Sequence, residues 1–188
     1  MPNTHKYNWL RGLPNQLTLF RIAVIPLLLV LFPWGINSLN IFCAALFAIA
    51  ALTDFADGFI ARQFKMESKL GGLIDPIADK LLTTAGLVLL TGTNLVWSWL
   101  AGILLCREIA LSGFRLLAQQ QGLSIPVNWL GKAKTFFLDV AIPCLIVKKP
   151  LFGFPFWEVG MVSIWIALVL SIISAWVYIK GFLQQADL

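Results

Sequence analysis

Six apolar runs of membrane-crossing length are the strongest constraint on what this chain can become. They cover Leu17–Trp34, Leu39–Ala61, Leu70–Thr91, Val96–Leu117, Trp129–Lys148 and Trp157–Phe182. The breaks fall at "PWGINS", "RQFKMESK", "TGTN", "QQQGLSIPVN" and "KKPLFGFP", where polar residues, proline or glycine interrupt the apolar pattern. With 59% hydrophobic and 12% charged residues in 188, a soluble globule is excluded. The expected fold is an all-α integral membrane protein: one domain over residues 1–188, crossing the bilayer six times.

Charge placement orients those spans. Lys6, Arg11 and Arg21 lie at the N-terminal end, Arg62, Lys65, Lys69 and Lys80 surround the second break, Arg107, Arg115, Lys132 and Lys134 surround the fourth, and Lys180 closes the last span. Only Lys148 and Lys149 fall on the other side, so the positive-inside rule puts both termini in the cytoplasm. A net charge of +5 spread over membrane-flanking loops suits anionic lipid headgroups and not nucleic acid. The first run lacks a convincing small-residue cleavage site and reads as a retained helix. Before it, "HKYNWLRGL" suits either a short interfacial helix or a plain tail, and His5 is solvated in both cases. Cys43, Cys106 and Cys144 have no paired spacing and read as small core hydrophobes.

Against this apolar background the aspartates need a reason. Asp54 and Asp57 are three apart and share a helix face that also carries Gly58 and Ala61. Asp75 and Asp79 are four apart and again share a face, with Gly71 one turn earlier. Asp54 lies eight residues before Arg62 and Asp79 eight after Gly71, each about 12 Å from its helix end at 1.5 Å per residue. Antiparallel neighbours joined by the short intervening loop would bring four carboxylates together in the cytoplasmic leaflet. Four carboxylates in low dielectric repel strongly, and hard divalent cations with oxygen ligands relieve that repulsion. Two such ions about 4 Å apart serve displacement at phosphorus. Paired aspartates also suit a proton relay or a cation pathway. Asp75 before Pro76 also suits a helix N-cap with proline at the first helical position.

The string "DFADGFIARQFKMESKLGGLIDPIAD" resembles the signature of the CDP-alcohol phosphotransferase family, D-x-x-D-G-x-x-A-R, eight residues, then G-x-x-x-D-x-x-x-D. It aligns without a gap on Asp54, Asp57, Gly58, Ala61, Arg62, Gly71, Asp75 and Asp79, a match that chance would give in about 10⁻⁸ of chains. The resemblance implies that Asp54, Asp57, Asp75 and Asp79 hold two divalent ions, magnesium or manganese, and that Asp79 is also the general base. It further implies that Asp57, Gly58, Ala61, Arg62 and Gly71 accommodate the cytidine diphosphate moiety of a CDP-activated lipid. Asn15 and Thr18 are further candidates for nucleotide contact, with capping of the first helix as the competing explanation.

The stretches "LPNQLTLFRI", "CREIALSGFR" and "NWLGKAKT" resemble the bacterial branch of the family in which CDP-diacylglycerol is the donor and sn-glycerol 3-phosphate the acceptor. That resemblance implies a bacterial cytoplasmic-membrane enzyme with its site facing the cytoplasm, acting as a homodimer. A phosphorylated acceptor needs cations, and Arg107, Arg115, Lys132 and Lys134 are the candidates, with ordinary flanking charge as the alternative. Leu138 stands where that branch often carries glutamine, with Asp139 beside it. The nearest rival is a branch that uses phosphatidylglycerol as acceptor, whose phosphodiester needs less cationic charge. A divalent-cation or proton transporter would continue polar residues to the opposite side, and "NIFCAALFAIAA" and "LVLLTGTN" offer almost none.

Overall fold

A computed structural model describes residues 13–64, 71–120, 129–151 and 153–185, with the side chains of 13–15, 54–64, 71–73, 119 and 183–185 outside that description. Six α-helices follow in order: α1 Leu13–Leu31, α2 Asn37–Phe64, α3 Gly71–Gly92, α4 Ser98–Gln120, α5 Trp129–Val147 and α6 Phe156–Gln185. Apart from a bridge between Leu151 and Phe154, every regular element among the described residues is helical. The six helices fall on the six apolar runs, each with shifted ends. The "HKYNWLRGL" stretch lies almost wholly outside the described residues.

The helix ends have local causes. After α1 a 3₁₀ turn, Phe32–Trp34, starts at a Pro-bearing first turn and is closed by Gly35, whose φ of 69° is left-handed and whose N–H donates to the Phe32 carbonyl at 3.2 Å. Two N–H groups, Leu95 at 2.8 Å and Val96 at 3.2 Å, fold back on the Leu90 carbonyl, and the intervening Asn94 takes φ 56°. Three helices carry an internal proline, Pro26, Pro76 and Pro143, each removing one backbone donor from the ladder.

The chain divides into two compact units, Met1–Leu89 and Leu90–Leu188. In the first, α1 packs along α2, with Val24, Leu28, Phe32, Cys43 and Phe47 buried. In the second, α6 packs against α5 and α4 around Leu100, Leu104, Leu138, Ile142, Leu145 and Ile164. Gly160 permits the α5–α6 approach: a Cβ there would lie 2.8 Å from Leu145 Cγ. Of the cysteines, Cys43 is buried, Cys144 half-buried and Cys106 exposed, so the core expectation fails for Cys106. All three are free thiols.

The exterior is inverted relative to that of a soluble protein. Along α6, Val162, Trp165, Val169, Ile172, Ile173 and Trp176 are exposed while Ser163, Ser171 and Ser174 are buried. Apolar side chains outward and hydroxyls inward is the pattern hydrocarbon selects. Two helical stretches, Gln16–Trp34 and Phe156–Phe182, are long and apolar enough to cross a membrane. Trp97, Trp99 and Trp165, all exposed, form an aromatic cluster with ring centroids 5.9 to 6.3 Å apart, a group suited to a membrane–water interface.

Candidate active site

In the first unit the candidate site residues lie on α1, α2 and α3. The helix α3 begins at Gly71, so Asp75 lies in its second turn with Pro76 inside the helix, and the N-cap explanation for this pair fails. Asp75 and Asp79 are one turn apart on α3, both half-buried. Thr83 Oγ1 donates to the Asp79 carbonyl at 3.1 Å, which is intrahelical support for the backbone that carries this carboxylate. Asp54 and Asp57 lie near the end of α2 at three-residue spacing, with Gly58, Ala61 and Arg62 following. The side chains of Asn15, Asp54, Asp57, Gly58, Ala61, Arg62 and Gly71 lie outside the described residues.

The contact the structure adds comes from α1. Thr18 and Arg21, three apart and so on one face, both reach across to Asp75. The Thr18 hydroxyl donates to Asp75 Oδ1, and Arg21 Nη2 donates to the same oxygen at 3.4 Å. Thr18 is 1% exposed and Arg21 is fully buried, whereas the Asp75 side chain is 32% exposed. Since α1 starts at Leu13, Thr18 is inside the helix and does not cap it. Its hydroxyl faces a carboxylate and is closed to solvent. Sequence reasoning counted Arg21 only as flanking positive charge. The signal that marks it is its position inside an apolar run, one turn after Thr18, where a charge needs a partner.

Among the described residues no group of three or more metal-ligating side chains is assembled. The donor chemistry fits a hard cation nonetheless: the ligands expected from the sequence are all carboxylates, and Asp75 keeps part of its carboxylate open.

The second unit holds a separate set of charges. Arg107 on α4 donates from Nε to the Ser171 carbonyl at 3.1 Å, from Nη2 to Ser174 Oγ at 2.5 Å, and from Nη1 to Glu108 Oε2 at 3.1 Å. Ser174 Oγ donates onward to the Leu170 carbonyl at 2.6 Å. Lys134 on α5, 5% exposed, donates to the same Glu108 Oε2. Arg115 on α4 and Lys132 on α5 are exposed. The four cations expected at the acceptor therefore divide into two held by internal partners and two facing outward. Leu138 is a buried core residue of α5, 3% exposed, and Asp139 beside it is half-buried.

The sequence matches the CDP-alcohol phosphatidyltransferase family over residues 11–173, and the chain belongs to that family. Among curated relatives it is 34% identical to the CDP-diacylglycerol–glycerol-3-phosphate 3-phosphatidyltransferase of Bacillus subtilis (strain 168), over 89% of this chain and 93% of that protein. It is 37% identical to the protein of the same name from Rickettsia typhi, over 92% of this chain and 97% of the relative. For the one from Shigella flexneri serotype 5b the identity is 33%, over 94% and 97%.

Proposed function

We infer that this chain transfers the phosphatidyl group of CDP-diacylglycerol to sn-glycerol 3-phosphate, releasing CMP and forming phosphatidylglycerophosphate. The observation that carries this reading is the ungapped eight-residue signature from Asp54 to Asp79, in a chain similar along nearly its whole length to enzymes named for that reaction.

Asp54, Asp57, Asp75 and Asp79 would hold two magnesium or manganese ions, which supply charge neutralisation at the donor's pyrophosphate when bound. Asp79 accepts the proton of the acceptor hydroxyl. The hydroxyl oxygen then forms a bond to the phosphorus that bears diacylglycerol, the pyrophosphate bond to that phosphorus breaks, and the electron pair leaves on CMP. Gly58, Ala61 and Gly71 leave room for the nucleotide beside the helices, with Asp57 and Asn15 at its polar edges. Arg62 meets its phosphates, a role suited to a planar permanent cation. In the second unit Arg115 and Lys132 face outward and would meet the acceptor phosphate, with Arg107 and Lys134 adding charge behind them. All six helices would span the bacterial cytoplasmic membrane with both termini and the site on the cytoplasmic side. Twelve of fourteen basic residues on one side of the spans support that orientation. The working unit would be a homodimer, which the mass of the detergent-purified protein tests.

The test of the reaction is purified protein with CDP-diacylglycerol, magnesium and radiolabelled sn-glycerol 3-phosphate, following CMP and labelled lipid together. Equal amounts of both, lost in Asp79→Asn, is the expected result. CMP release only when phosphatidylglycerol is supplied would move the acceptor to a lipid, and no metal-dependent CMP release with any acceptor would overturn the reading.

A further inference from the structure

The α1 face made by Thr18 and Arg21 has no role in the reaction as described above, although both residues are buried. Both donate to one oxygen, Asp75 Oδ1. Asp75 Oδ2 carries no hydrogen bond among the described residues, and the carboxylate remains about one-third open, at 32%. The hydroxyl and the guanidinium therefore treat the two oxygens unequally. Oδ1 is tied to α1, and rotation of the carboxyl about its last bond is restricted to the setting in which Oδ2 points away from α1.

We propose that Thr18 and Arg21 are positioning residues for Asp75, pinning Oδ1 so that Oδ2 is presented in a fixed direction as a divalent-metal ligand. A carboxylate ligand that is hydrogen-bonded through its other oxygen loses less rotational freedom on binding, and removal of such outer partners typically costs 10- to 100-fold in metal affinity. The division of labour follows from chemistry. Thr18 supplies direction without charge, since its hydroxyl is short and held on a helix in the protein interior. Arg21 supplies charge as well. As a fully buried cation beside Asp75, it would offset the repulsion of neighbouring carboxylates when no metal is bound. Pro76, next in sequence to Asp75, fixes φ at its own position and stiffens the backbone that carries the carboxylate. The assignment moves Thr18 away from direct nucleotide contact, because a hydroxyl 1% exposed and committed to Asp75 is not open to a substrate.

This inference rests on the metal-dependent reading of the aspartates, and its test separates the two. Manganese binding to the detergent-purified full-length chain is measured by electron paramagnetic resonance of the free ion, with no substrate present. Thr18→Val keeps the shape and removes the hydroxyl, and Thr18→Ser keeps the hydroxyl. The expected result is a 10- to 100-fold weaker manganese Kd in Thr18→Val, with Thr18→Ser close to the wild type. A wild-type Kd in Thr18→Val together with a raised KM for CDP-diacylglycerol would overturn the proposal in favour of direct substrate contact. A wild-type Kd with only a lowered melting temperature would overturn it in favour of plain packing. Arg21→Gln provides the second arm: the metal-free protein melts at lower temperature, and manganese raises its melting point by more than it does in the wild type. An equal manganese-induced rise in both proteins would remove Arg21 from the proposal. Failure of the wild type itself to bind manganese would overturn the metal-dependent reading and the positioning claim together, whereas a wild type that binds beside an unaffected Thr18→Val overturns the positioning claim alone.

Discussion

In residues 1–89 one carboxylate oxygen, Asp75 Oδ1, collects a hydroxyl and a guanidinium from α1. In residues 90–188 one carboxylate oxygen, Glu108 Oε2, collects a guanidinium from its own helix and an ammonium from α5. The contacts look alike, but the residues that accompany them in the sequence differ. Asp75 is one of four aspartates in the sequence signature, and a buried arginine, Arg21, meets it. Around Glu108 the sequence supplies Arg107, Arg115, Lys132 and Lys134 against one carboxylate, leaving an excess of positive charge. On the function proposed above, the first unit would receive cations and the second a phosphate. A buried charge that is satisfied internally cannot be assigned to a substrate merely because its residue type fits.

The largest expected effect lies in the first unit. Asp57→Asn keeps the size of the side chain and removes its charge, so the loss falls on turnover and not on folding. Metal assistance at phosphorus contributes several kcal/mol, which puts the fall in kcat on the order of 10³-fold or more. The check is labelled-lipid formation at saturating substrates, alongside a melting curve near that of the wild type. A variant that misfolds instead would make the carboxylates structural and erase the contrast between the units.

Arg107→Ala is expected to act the other way. All three faces of this guanidinium are engaged, with Ser171, Ser174 and Glu108, and its side chain is 13% exposed. Its removal takes the Ser171 and Ser174 hydrogen bonds out of the α4–α6 contact and should destabilise the protein by about 3 kcal/mol, the order seen when one partner of a buried pair is removed. Thermal unfolding in detergent measures it. Arg107→Lys should recover little, since one ammonium cannot span three partners in different directions. An unchanged melting point with a raised KM for sn-glycerol 3-phosphate would instead make Arg107 a phosphate ligand. Arg115→Ala, at an exposed site, should leave melting unchanged and raise that KM about 10-fold with kcat nearly constant. That is the outcome of losing one charge-assisted contact made equally in ground and transition states.

Much of this was legible from residue order. Six helices were written in the apolar runs, because a membrane span leaves the backbone no alternative to internal hydrogen bonding. The helix ends were less visible: α2 continues to Phe64, beyond Ala61, since nothing in "RQF" breaks a helix. The four aspartates stood out because charge is rare in such surroundings. Arg21 did not, because a basic residue near the start of a span also satisfies the positive-inside pattern, and only the fold shows that it turns inward to Asp75. The commitment of Arg107 and Lys134 to Glu108 was hidden for the same reason: "CREIA" and "GKAKT" give the charges but not their pairing across helices.

The smallest effect sharpens the comparison within the first unit, where Arg21 and Asn40 are both buried polar residues. Arg21 meets a carboxylate, whereas Asn40, 1% exposed on α2, has neither its Nδ2 nor its Oδ1 hydrogen-bonded. An amide left unsatisfied in the interior costs about 1–3 kcal/mol in desolvation, and an apolar group of similar shape avoids that cost. Asn40→Leu should therefore be neutral or stabilising by up to about 1 kcal/mol, the difference left after the poorer fit of a branched side chain. It should leave turnover unchanged, because the residue lies one turn from the start of α2, whereas Asp54 and Asp57 lie near that helix's other end. The readout is the melting temperature beside kcat. A clear loss of stability would mean that the amide is satisfied by a buried water.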